Sequence, residues 1–435
     1  MTEKMGIIAD DLTGSNDSGV QLAKKGFTST VVFNVETKGS DSVSDVLVID
    51  TDSRSRSSEE AFEAVSMAAS FLLQQGYTHI YKKMDSTLRG NIGPELFALA
   101  DVYRPDAVVI APAFPALNRT TVNGNHYVNG KLIHETEFGQ DPKTPVHDSY
   151  IPALLEQVED EKIEIVNLSV IQSGKEEVIT FIQKAMEQGK TWFVCDGKTE
   201  ADLEMIASSF TAIHKRIVWA GSGGLIEFLP NALGFSPDSL HHNKGIEIEK
   251  TLVVSGSLSQ VTKKQLESLR DFDDSCLIEL NPIDFVNHNI QAVESILRTK
   301  EILTAKNIVV FVDSSEENRL AASEAGEKLG LSGNQISEAI AAGLGRVASQ
   351  ILSKNPDING LVLTGGDTAK AVCSELGVSE IELHSEVEPG LPFGRIDSGN
   401  KEYWVVTKAG GFGTETSLLN AVKFMTGKVE QYESK

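Results

Sequence analysis

The feature of this sequence that most constrains its fold is a regular alternation of short apolar runs with stretches of helical periodicity. In the first half, strand-like runs cover 6–9, 46–50, 79–83, 107–113, 163–168, 191–196 and 216–221. Helical patterns cover about 15–25, 58–75, 93–101, 174–188 and 199–212, and a long loop is expected after residue 113. Because parallel strands need a crossover connection, usually a helix, this alternation predicts a parallel sheet with helices on both faces.

The second half repeats the alternation after an interruption. Residues 231–250 lose the apolar periodicity and mix Pro, Gly, Ser, His and charged residues, which is typical of a linker. Strand-like runs then begin at 251, 307, 360 and 403. A chain of 435 residues has room for two or three domains. We therefore predict an α/β protein with two domains, 1–232 and 250–435, joined by a linker over 233–249. Each domain should have a mainly parallel sheet flanked by helices.

The composition argues against several classes of function. A net charge of −23 disfavours binding to nucleic acid or to an anionic membrane, because both require a basic surface. No apolar run approaches the roughly 20 residues that are needed to cross a bilayer. The three scattered cysteines make neither a disulfide framework nor a metal cluster, and they fit a reducing cytosol. We therefore expect a cytoplasmic protein without nucleic-acid or membrane partners.

Three glycine-containing loops follow strands in the second half: SGSLS at 255–259, TGGDT at 364–368 and KAGGFG at 408–413. Ligands of open α/β sheets bind beyond the carboxyl ends of the strands. Glycines let the backbone approach a phosphate closely, and a following helix directs free N–H groups at it. The sequence lacks the GxxxxGK[ST] motif of Walker P-loops and the GxGxxG motif of dinucleotide folds. The second half therefore predicts a phosphate or nucleotide site of another kind.

Two charged residues in these loops have alternative interpretations. Asp367 can cap the helix that follows it, or its carboxylate can face the transferred phosphoryl group as a base or through Mg²⁺. Lys408 can be a surface lysine, or it can neutralise phosphate charge. The sequence leaves both alternatives open.

Polar and charged residues also follow four successive strands of the first half. They are Asp10 and Asp11; Asp52 and Arg54; Lys82, Lys83, Asp85, Ser86 and Arg89; and Arg119, Asn125 and His126. Arginine suits a carboxylate because it binds in a bidentate fork, and carboxylates accept hydrogen bonds from hydroxyl groups. This combination predicts a site for a small polyhydroxy acid.

Together, these segments resemble the four-carbon acid sugar kinase family. The matching stretches are IADDLTGSND, KKMDSTLRGN, APAFP with NRTTVNGNHYVNG, VSGSLSQVTKKQ, LTGGDTAKAV, PGLPFG and TKAGGFG, which run from residue 8 to 413. The resemblance implies an N-terminal sugar-acid-binding domain, a C-terminal nucleotide-binding domain and an active site in the interdomain cleft. It also implies ATP and Mg²⁺ as cofactors, and D-threonate, D-erythronate or a 3-oxo-tetronate as the acceptor.

The resemblance further implies roles for individual residues. Contacts to the acid are implied at Asp10, Arg54, Lys82, Lys83, Asp85, Ser86 and Arg89. Contacts to ATP are implied at Ser255, Ser257, Thr364, Gly365, Gly366, Asp367, Gly410 and Gly411. The catalytic base is Asp367, Asp10 or Asp85, and metal ligands are not assigned.

The start of the chain bears on substrate choice. It reads DDLTGSND, whereas 3-oxo-tetronate kinases usually read DDFTGATD, and this favours D-threonate ahead of D-erythronate. The expected product is then D-threonate 4-phosphate, and a homodimer is the expected assembly.

Two other classes of function stay open: a non-catalytic sensor of a sugar acid or nucleotide, and a metal-dependent isomerase or lyase. The second leaves the three glycine loops unexplained.

Overall fold

The computed structural model describes residues 4–427 apart from 34, 36–43, 142, 238–246, 258, 271, 273, 290–303 and 314. The chain divides into two compact units, Met1–Leu240 and His241–Lys435. The predicted linker falls partly on residues outside the described part of the chain. Its limits, and those of the two predicted domains, therefore stay predictions.

The first unit contains a parallel sheet. Its strands are β1 (Met5–Ala9), β2 (Ser29–Val32), β3 (Val46–Asp50), β4 (His79–Lys83), β5 (Ala107–Ala111), β9 (Ile163–Val166), β10 (Trp192–Cys195) and β11 (Ile217–Gly221). They run in the order β2-β3-β1-β4-β11-β5-β10-β9, with every neighbouring pair parallel. Strands β1, β3, β5 and β11 are buried along their whole length. Such two-sided burial is typical of a parallel sheet covered by helices.

The helices of this unit are α1 (Leu12–Ala23), α2 (Ser58–Gln74), α3 (Ile92–Tyr103), α4 (Leu168–Ile171), α5 (Lys175–Glu187), α6 (Glu200–Thr211), α7 (Gly223–Ile226) and α8 (Leu229–Leu233). Helix α1 begins at Leu12, earlier than the predicted residue 15, because Asp11 caps it and accepts a 2.7 Å hydrogen bond from the Gly14 N–H. A capping box between Ser57 and Glu60 starts α2 in the same way.

A small antiparallel sheet follows β5. Its strands are β6 (Arg119–Val122), β7 (Asn125–Val128) and β8 (Lys131–Leu132). The expectation of a long loop here is therefore wrong. Asn123 and Gly124 form the two-residue turn between β6 and β7, and both have positive φ angles, as the tight hairpin turn requires. Short 3₁₀ turns at 115–117, 133–135, 137–140, 151–154 and 160–162 complete the segment.

The second unit has a mixed sheet. Its strands are β12 (Lys250–Ser255), β13 (Ser275–Leu280), β14 (Asn307–Val312), β15 (Ile358–Thr364), β16 (Glu380–Glu386), β17 (Pro392–Asp397) and β18 (Glu402–Lys408). They run in the order β13-β14-β12-β15-β18-β17-β16. The pairs from β13 to β18 are parallel, and β16 and β17 are antiparallel additions that the sequence reading did not predict.

The helices of the second unit are α9 (Gln260–Arg270), α10 (Pro282–Val286), α11 (Glu316–Lys328), α12 (Gly333–Lys354), α13 (Gly366–Glu375) and α14 (Ser417–Met425). Buried residues Val253, Val309, Val362 and Val406 from four strands form one core with apolar residues of α9 and α14. The prediction of an α/β protein with mainly parallel sheets flanked by helices is confirmed. None of the described helices is long and apolar enough to cross a membrane.

Candidate active site

The polar residues of the first unit emerge at one edge of its sheet. In the parallel register Ala9 of β1 lies beside Asp50 of β3 and beside Lys83 of β4. The residues that follow these three positions therefore leave the sheet side by side. The backbone N–H of Arg54 donates to the carbonyl of Asp10 at 3.2 Å, which holds the loop after β3 against the end of β1.

Arg54 is held by the two adjacent aspartates. Its Nε and Nη2 donate to the two oxygens of Asp10 at 2.7 and 3.1 Å, and its Nη1 donates to Asp11 at 2.7 Å. Burial raises the pKa of Asp10, but the positive charges of Arg54 and Lys82 outweigh it and hold that pKa below its ordinary value. Asp10 is therefore an anion that orients Arg54 at the strand end.

Lys82 and Lys83 are both buried, although their charges are engaged differently. The Lys82 Nζ lies 2.9 Å from a Glu95 carboxylate oxygen and 3.0 Å from the Lys83 carbonyl. Ser53 Oγ donates to the other Glu95 oxygen at 2.6 Å. The Lys83 Nζ donates to the Met84 carbonyl at 3.0 Å. Lys82 thus belongs to a buried ion pair, whereas no carboxylate lies within ion-pair distance of Lys83 among the described residues.

Asp85 lies in the loop after β4 and binds a second arginine. Its Oδ2 accepts hydrogen bonds from Arg89 Nε at 2.6 Å and from Thr87 Oγ1 at 2.7 Å. Arg89 Nη1 also donates to Asp141 at 3.2 Å. Burial raises the pKa of Asp85, but the charges of Arg54 and Arg89 dominate and hold that pKa well below its ordinary value.

The small sheet β6–β8 is fastened to this loop by a buried histidine. The Nε2 of His126 lies 3.0 Å from the carbonyl of Ser86, and its Nδ1 lies 3.1 Å from Thr121 Oγ1. Since a carbonyl only accepts, Nε2 carries the proton and Nδ1 accepts from the hydroxyl. Burial lowers the pKa of His126 to about 4, so the ring is neutral at pH 7. This link brings Arg119, on β6, to the region of Asp85 and Arg89.

The three glycine loops of the second unit lie at the carboxyl ends of neighbouring strands. Ser255 of β12 is the register partner of Thr364 of β15, and Thr364 is the register partner of Lys408 of β18. The loops that follow are in direct contact, because a Cβ on Gly256 would meet Thr368 Oγ1 and a Cβ on Gly410 would meet Ser257 Oγ. Glycine is needed at both positions for this close approach.

Two hydroxyl groups at this edge are buried and lack a hydrogen-bond partner among the described residues. Ser255 and Thr364 have exposed fractions of 1% and 0%, and neither side-chain oxygen has a hydrogen-bond partner in the described part of the chain. Buried hydroxyl groups are normally hydrogen-bonded, so two unpaired hydroxyls at register-paired positions of adjacent strands need an explanation. Both residues were predicted to contact ATP. The oxygen atoms of a bound nucleotide, or a cation bound with it, would satisfy these hydroxyl groups.

Lys408 organises the third loop from inside the protein. Its Nζ donates to the carbonyls of Ala409 at 2.7 Å, Gly410 at 3.1 Å and Phe412 at 3.1 Å. Thr262 Oγ1 of α9 donates to the Gly410 carbonyl as well, at 2.6 Å. The residue is only 3% exposed, so its interpretation as a surface lysine is wrong. Burial lowers its pKa to about 8.

The inward carbonyls fix the direction of the loop amides. In a trans peptide the N–H points opposite to the preceding C=O, and no cis peptide occurs among the described residues. The N–H groups of Gly410 and Gly411 must therefore point away from Lys408, and neither has a hydrogen-bond acceptor within the described ranges. Consecutive outward amides of this kind form an anion-binding concavity.

The TGGDT segment begins helix α13 at Gly366. The residue that caps this helix is Gly365, with φ of 102°, and Asp367 is the second residue inside it. The interpretation of Asp367 as the helix cap is therefore wrong. Its side chain is exposed, and it has no hydrogen bond or ion pair with the residues that the structure describes. Asp367 is free to meet a ligand at the helix N-terminus.

Most of the predicted residues thus lie in two groups, one at each sheet edge. Ser86 contributes its carbonyl to His126, and Gly411 is an exposed loop residue. Glu95 and Asp141 were not singled out from the sequence, whereas Lys408 was considered there as a surface lysine or as a residue that neutralises phosphate charge. The signal for Glu95 was available: it is a carboxylate on the apolar stripe that Ile92, Leu96 and Leu99 form along α3. Asp141 carries no comparable pattern.

Sequence comparisons define the class of protein to which this fold and these two sites belong. Residues 5–229 match the model of a sugar-binding N-terminal domain, and residues 252–418 match that of a nucleotide-binding C-terminal domain. The chain is 34% identical to a D-threonate kinase from Salmonella typhimurium over 427 residues, which cover 97% of this chain and 98% of the relative. It is 30% identical to a D-erythronate kinase from Heliobacterium modesticaldum, with 97% of both chains covered.

A crystal structure of a Haemophilus influenzae protein is also similar, with a TM-score of 0.75 and 26% identity over 97% of this chain and 100% of the other. The chain therefore belongs to the four-carbon acid sugar kinase family.

Proposed function

We propose that this protein transfers the γ-phosphoryl group of ATP to the terminal hydroxyl of a four-carbon sugar acid. The proposed substrate is D-threonate, and the product is D-threonate 4-phosphate. The first domain binds the acid through the charged residues at its strand ends, and the second binds ATP through its three loops. The expected location of the active site in an interdomain cleft stays a prediction.

The observation that carries this proposal is the unsatisfied pair of buried hydroxyls at Ser255 and Thr364. They lie at the same edge as the outward amides of Gly410 and Gly411 and the N-terminus of α13. Donors and polar oxygens of this kind suit a polyphosphate and a hard cation. A metal-dependent isomerase or lyase has no use for such a set, so a kinase explains the second domain better.

Mg²⁺ is the cation that we propose with ATP. Among the described residues no group of three or more His, Cys, Asp or Glu side chains is arranged to hold a metal ion. This fits a Mg²⁺ ion bound mainly by phosphate oxygens and water, for which one carboxylate from the protein is enough. The buried hydroxyls of Ser255 and Thr364 would supply hard oxygen ligands for such an ion. When bound, the ion would neutralise charge on the phosphate oxygens.

Asp367 is also our choice among the three candidate bases. Both oxygens of Asp10 accept from Arg54, and Asp85 accepts from Arg89, so arginine charges stabilise these two carboxylates as anions. A carboxylate with a lowered pKa has less affinity for the proton of an acceptor hydroxyl. Asp367 has no such partner among the described residues, so it can accept that proton or orient the hydroxyl.

D-threonate is favoured over other four-carbon acids on two grounds. Relatives named D-threonate kinase match from Salmonella typhimurium, Cupriavidus necator and Bordetella bronchiseptica, at 34%, 30% and 30% identity. The DDLTGSND segment also differs from the DDFTGATD of 3-oxo-tetronate kinases. D-erythronate is the second candidate. Cytoplasmic location and a homodimeric assembly stay predictions.

The test measures ADP release with Mg²⁺-ATP against D-threonate, D-erythronate, L-threonate and a 3-oxo-tetronate. We expect acid-dependent turnover, with the highest kcat/KM for D-threonate. A higher kcat/KM for another acid of the panel would replace D-threonate as substrate. Absence of turnover on every acid, with ATP binding retained in calorimetry, would favour the sensor. Consumption of the acid without ATP would favour an isomerase or lyase.

A further inference from the structure

The cations of the first domain differ in whether an acid group of the protein already neutralises them. Arg54 lies 2.7 Å from both Asp10 and Asp11. Lys82 lies 2.9 Å from Glu95. Arg89 lies 2.6 Å from Asp85 and 3.2 Å from Asp141. A substrate carboxylate that took its charge partner from any of these would compete with a partly or fully buried ion pair, which is costly to break.

Arg119 is different. Its backbone is fixed at the start of β6, where it exchanges hydrogen bonds of 2.8 and 3.1 Å with Phe114. Its side-chain Nε is buried, yet it has no hydrogen-bond partner, and no carboxylate lies within 4.0 Å of the guanidinium among the described residues. Burial lowers the pKa of Arg119, while the charges of Asp85 and Asp17 act in the opposite direction. The guanidinium is therefore close to the other charged groups of the site but paired with none of them.

We propose that Arg119 binds the carboxylate of the sugar acid and makes this site selective for acids over neutral polyols. The inference rests on the proposed function, which it deepens by naming the residue that recognises the acid group. A partly buried guanidinium without a partner is unfavourable, and a bound carboxylate would satisfy it. The planar fork of arginine also matches a carboxylate in two parallel hydrogen bonds.

The alternative cation is Lys83, which also lacks a carboxylate within ion-pair distance in the described chain. Its Nζ donates to the Met84 carbonyl and lies at the start of α1, where it would be 3.1 Å from a Cβ added to Gly14. An ammonium group is a compact charge with three separate donors, and it does not form the bidentate pair. It suits hydroxyl or phosphoryl oxygens better than a planar acid group.

The small sheet gives Arg119 a defined position. His126 on β7 is held by the Ser86 carbonyl, and Thr121 on β6 donates to the same ring. In the antiparallel register His126 is the partner of Thr121, two residues from Arg119. The strand that carries Arg119 is therefore tied to the loop that carries Asp85 and Arg89.

The experiment compares D-threonate with its uncharged amide, D-threonamide, in wild type, Arg119→Gln and Arg119→Lys, with Arg104→Gln as a control. Arg104 has a side chain that is 76% exposed, and among the residues that the structure describes it pairs only with Asp101, on α3. We expect Arg119→Gln to raise KM for D-threonate by about 10- to 100-fold, the usual effect of losing a charge-assisted hydrogen bond. KM for ATP should stay unchanged. Arg119→Lys should recover part of the loss, and the preference for acid over amide should disappear in Arg119→Gln alone.

The proposal is overturned if Arg119→Gln keeps both the wild-type KM for D-threonate and the wild-type preference over the amide. An equal rise in KM for acid and amide would also overturn it, because that result indicates a structural role. If wild type turns over no acid, the proposed function fails. The inference is then judged by calorimetric binding of D-threonate and the amide to wild type and Arg119→Lys, where a weakened acid preference in the lysine variant supports it and an unchanged one overturns it.

Discussion

The Lys82 ammonium lies 2.9 Å from the Glu95 carboxylate, and the two side chains are only 1% and 4% exposed. Burial in this environment makes the pair costly to break, because removal of one partner leaves the other charge without compensation. Glu95→Leu should therefore lower the free energy of unfolding by about 3 to 5 kcal/mol. Urea denaturation followed by circular dichroism measures the change.

Two controls separate burial from charge pairing. The exposed pair of Lys162 and Glu159 has a similar distance of 2.7 Å, and Glu159→Gln should leave the free energy of unfolding almost unchanged. The double variant Lys82→Met with Glu95→Leu removes both charges and should recover most of the loss. A cost below about 1 kcal/mol for Glu95→Leu alone would contradict the ion pair's structural role.

The buried hydroxyls of Ser255 and Thr364, which are register partners on adjacent strands, lead to a second prediction. Thr364→Val replaces an unpaired buried hydroxyl by a methyl group, so the free energy of unfolding should stay equal or rise. KM for ATP should rise by roughly 10-fold, because a hydrogen bond to a charged ligand is lost.

Thr251 on the same strand as Ser255 provides the control. Its Oγ1 donates to Asn307 at 2.8 Å, so Thr251→Val should destabilise the fold and leave KM for ATP unchanged. If Thr364→Val destabilised the protein as much as Thr251→Val and bound ATP normally, the hydroxyl would have a structural role.

Lys408 predicts a pH dependence of ATP binding. With a pKa of about 8, its ammonium loses a proton as pH rises through 8, and the neutral amine has too few donors for the carbonyls of Ala409, Gly410 and Phe412. Glu388 is the carboxylate whose charge opposes this loss of the proton. KM for ATP in wild type should therefore increase above pH 8. Lys408→Met should have a KM raised by roughly 10-fold at pH 7 and no further increase with pH.

A loss of fold stability cannot cause the expected increase in KM for ATP above pH 8. Burial lowers the Lys408 pKa, so between pH 8 and the ordinary lysine range the unfolded state binds more protons than the folded state. The contribution of this residue to the free energy of unfolding thus improves as pH rises. Lys401 also donates to backbone carbonyls, of Pro356 and Ile358, and Lys401→Met should leave the KM profile for ATP as in wild type. A flat wild-type profile up to pH 9 would refute the prediction.

Asp367 is predicted to act in the chemical step. Asp367→Asn should lower kcat by about 10²- to 10⁴-fold, the usual range for a positioned acid or base, with KM for ATP changed only a few-fold. Glu375 is an exposed carboxylate on the same helix, and Glu375→Gln should behave like wild type. Stopped-flow measurement of a single turnover separates the chemical step from product release. A large loss of kcat in Asp85→Asn with normal activity in Asp367→Asn would move the role to Asp85.

The position of the candidate site residues at the strand ends could be predicted from the sequence, because polar residues directly follow apolar runs there. Carboxyl ends of parallel strands meet at one edge, so Asp10, Lys83 and the loop after Asp50 were expected together, as the register of β1 with β3 and β4 confirms. The same reasoning applies to Ser255, Thr364 and Lys408, which are register partners at the ends of neighbouring strands.

Charge pairing could not be predicted in this way, since it depends on side chains that are distant in sequence. Glu95 is 13 residues from Lys82, and Asp141 is 52 residues from Arg89. The sequence therefore indicated which cations lie at the site but not which of them the protein neutralises. The antiparallel strands β16 and β17 were also missed, because their alternating polar residues give only a weak apolar pattern.

His126 predicts a loss of stability in acid. Its folded pKa of about 4 is below that of an exposed histidine, so between pH 6.5 and 4 only the unfolded state binds the proton. The free energy of unfolding should fall as pH falls through this window, by about 3 kcal/mol at pH 4. His126→Gln should be less stable than wild type at pH 7.5, because the bonds to Ser86 and Thr121 are altered.

The pH dependence of the variant is the decisive quantity. His126→Gln cannot take up the proton, so its unfolding free energy should fall less steeply, and the two curves should converge toward pH 4. The exposed His147 is the control, and His147→Gln should follow the wild-type curve. Denaturant titrations at pH 7.5, 6 and 5 measure the slopes. Parallel curves for wild type and His126→Gln would mean that the ring takes up its proton over the same pH range in the folded and unfolded states, which would contradict the lowered folded pKa.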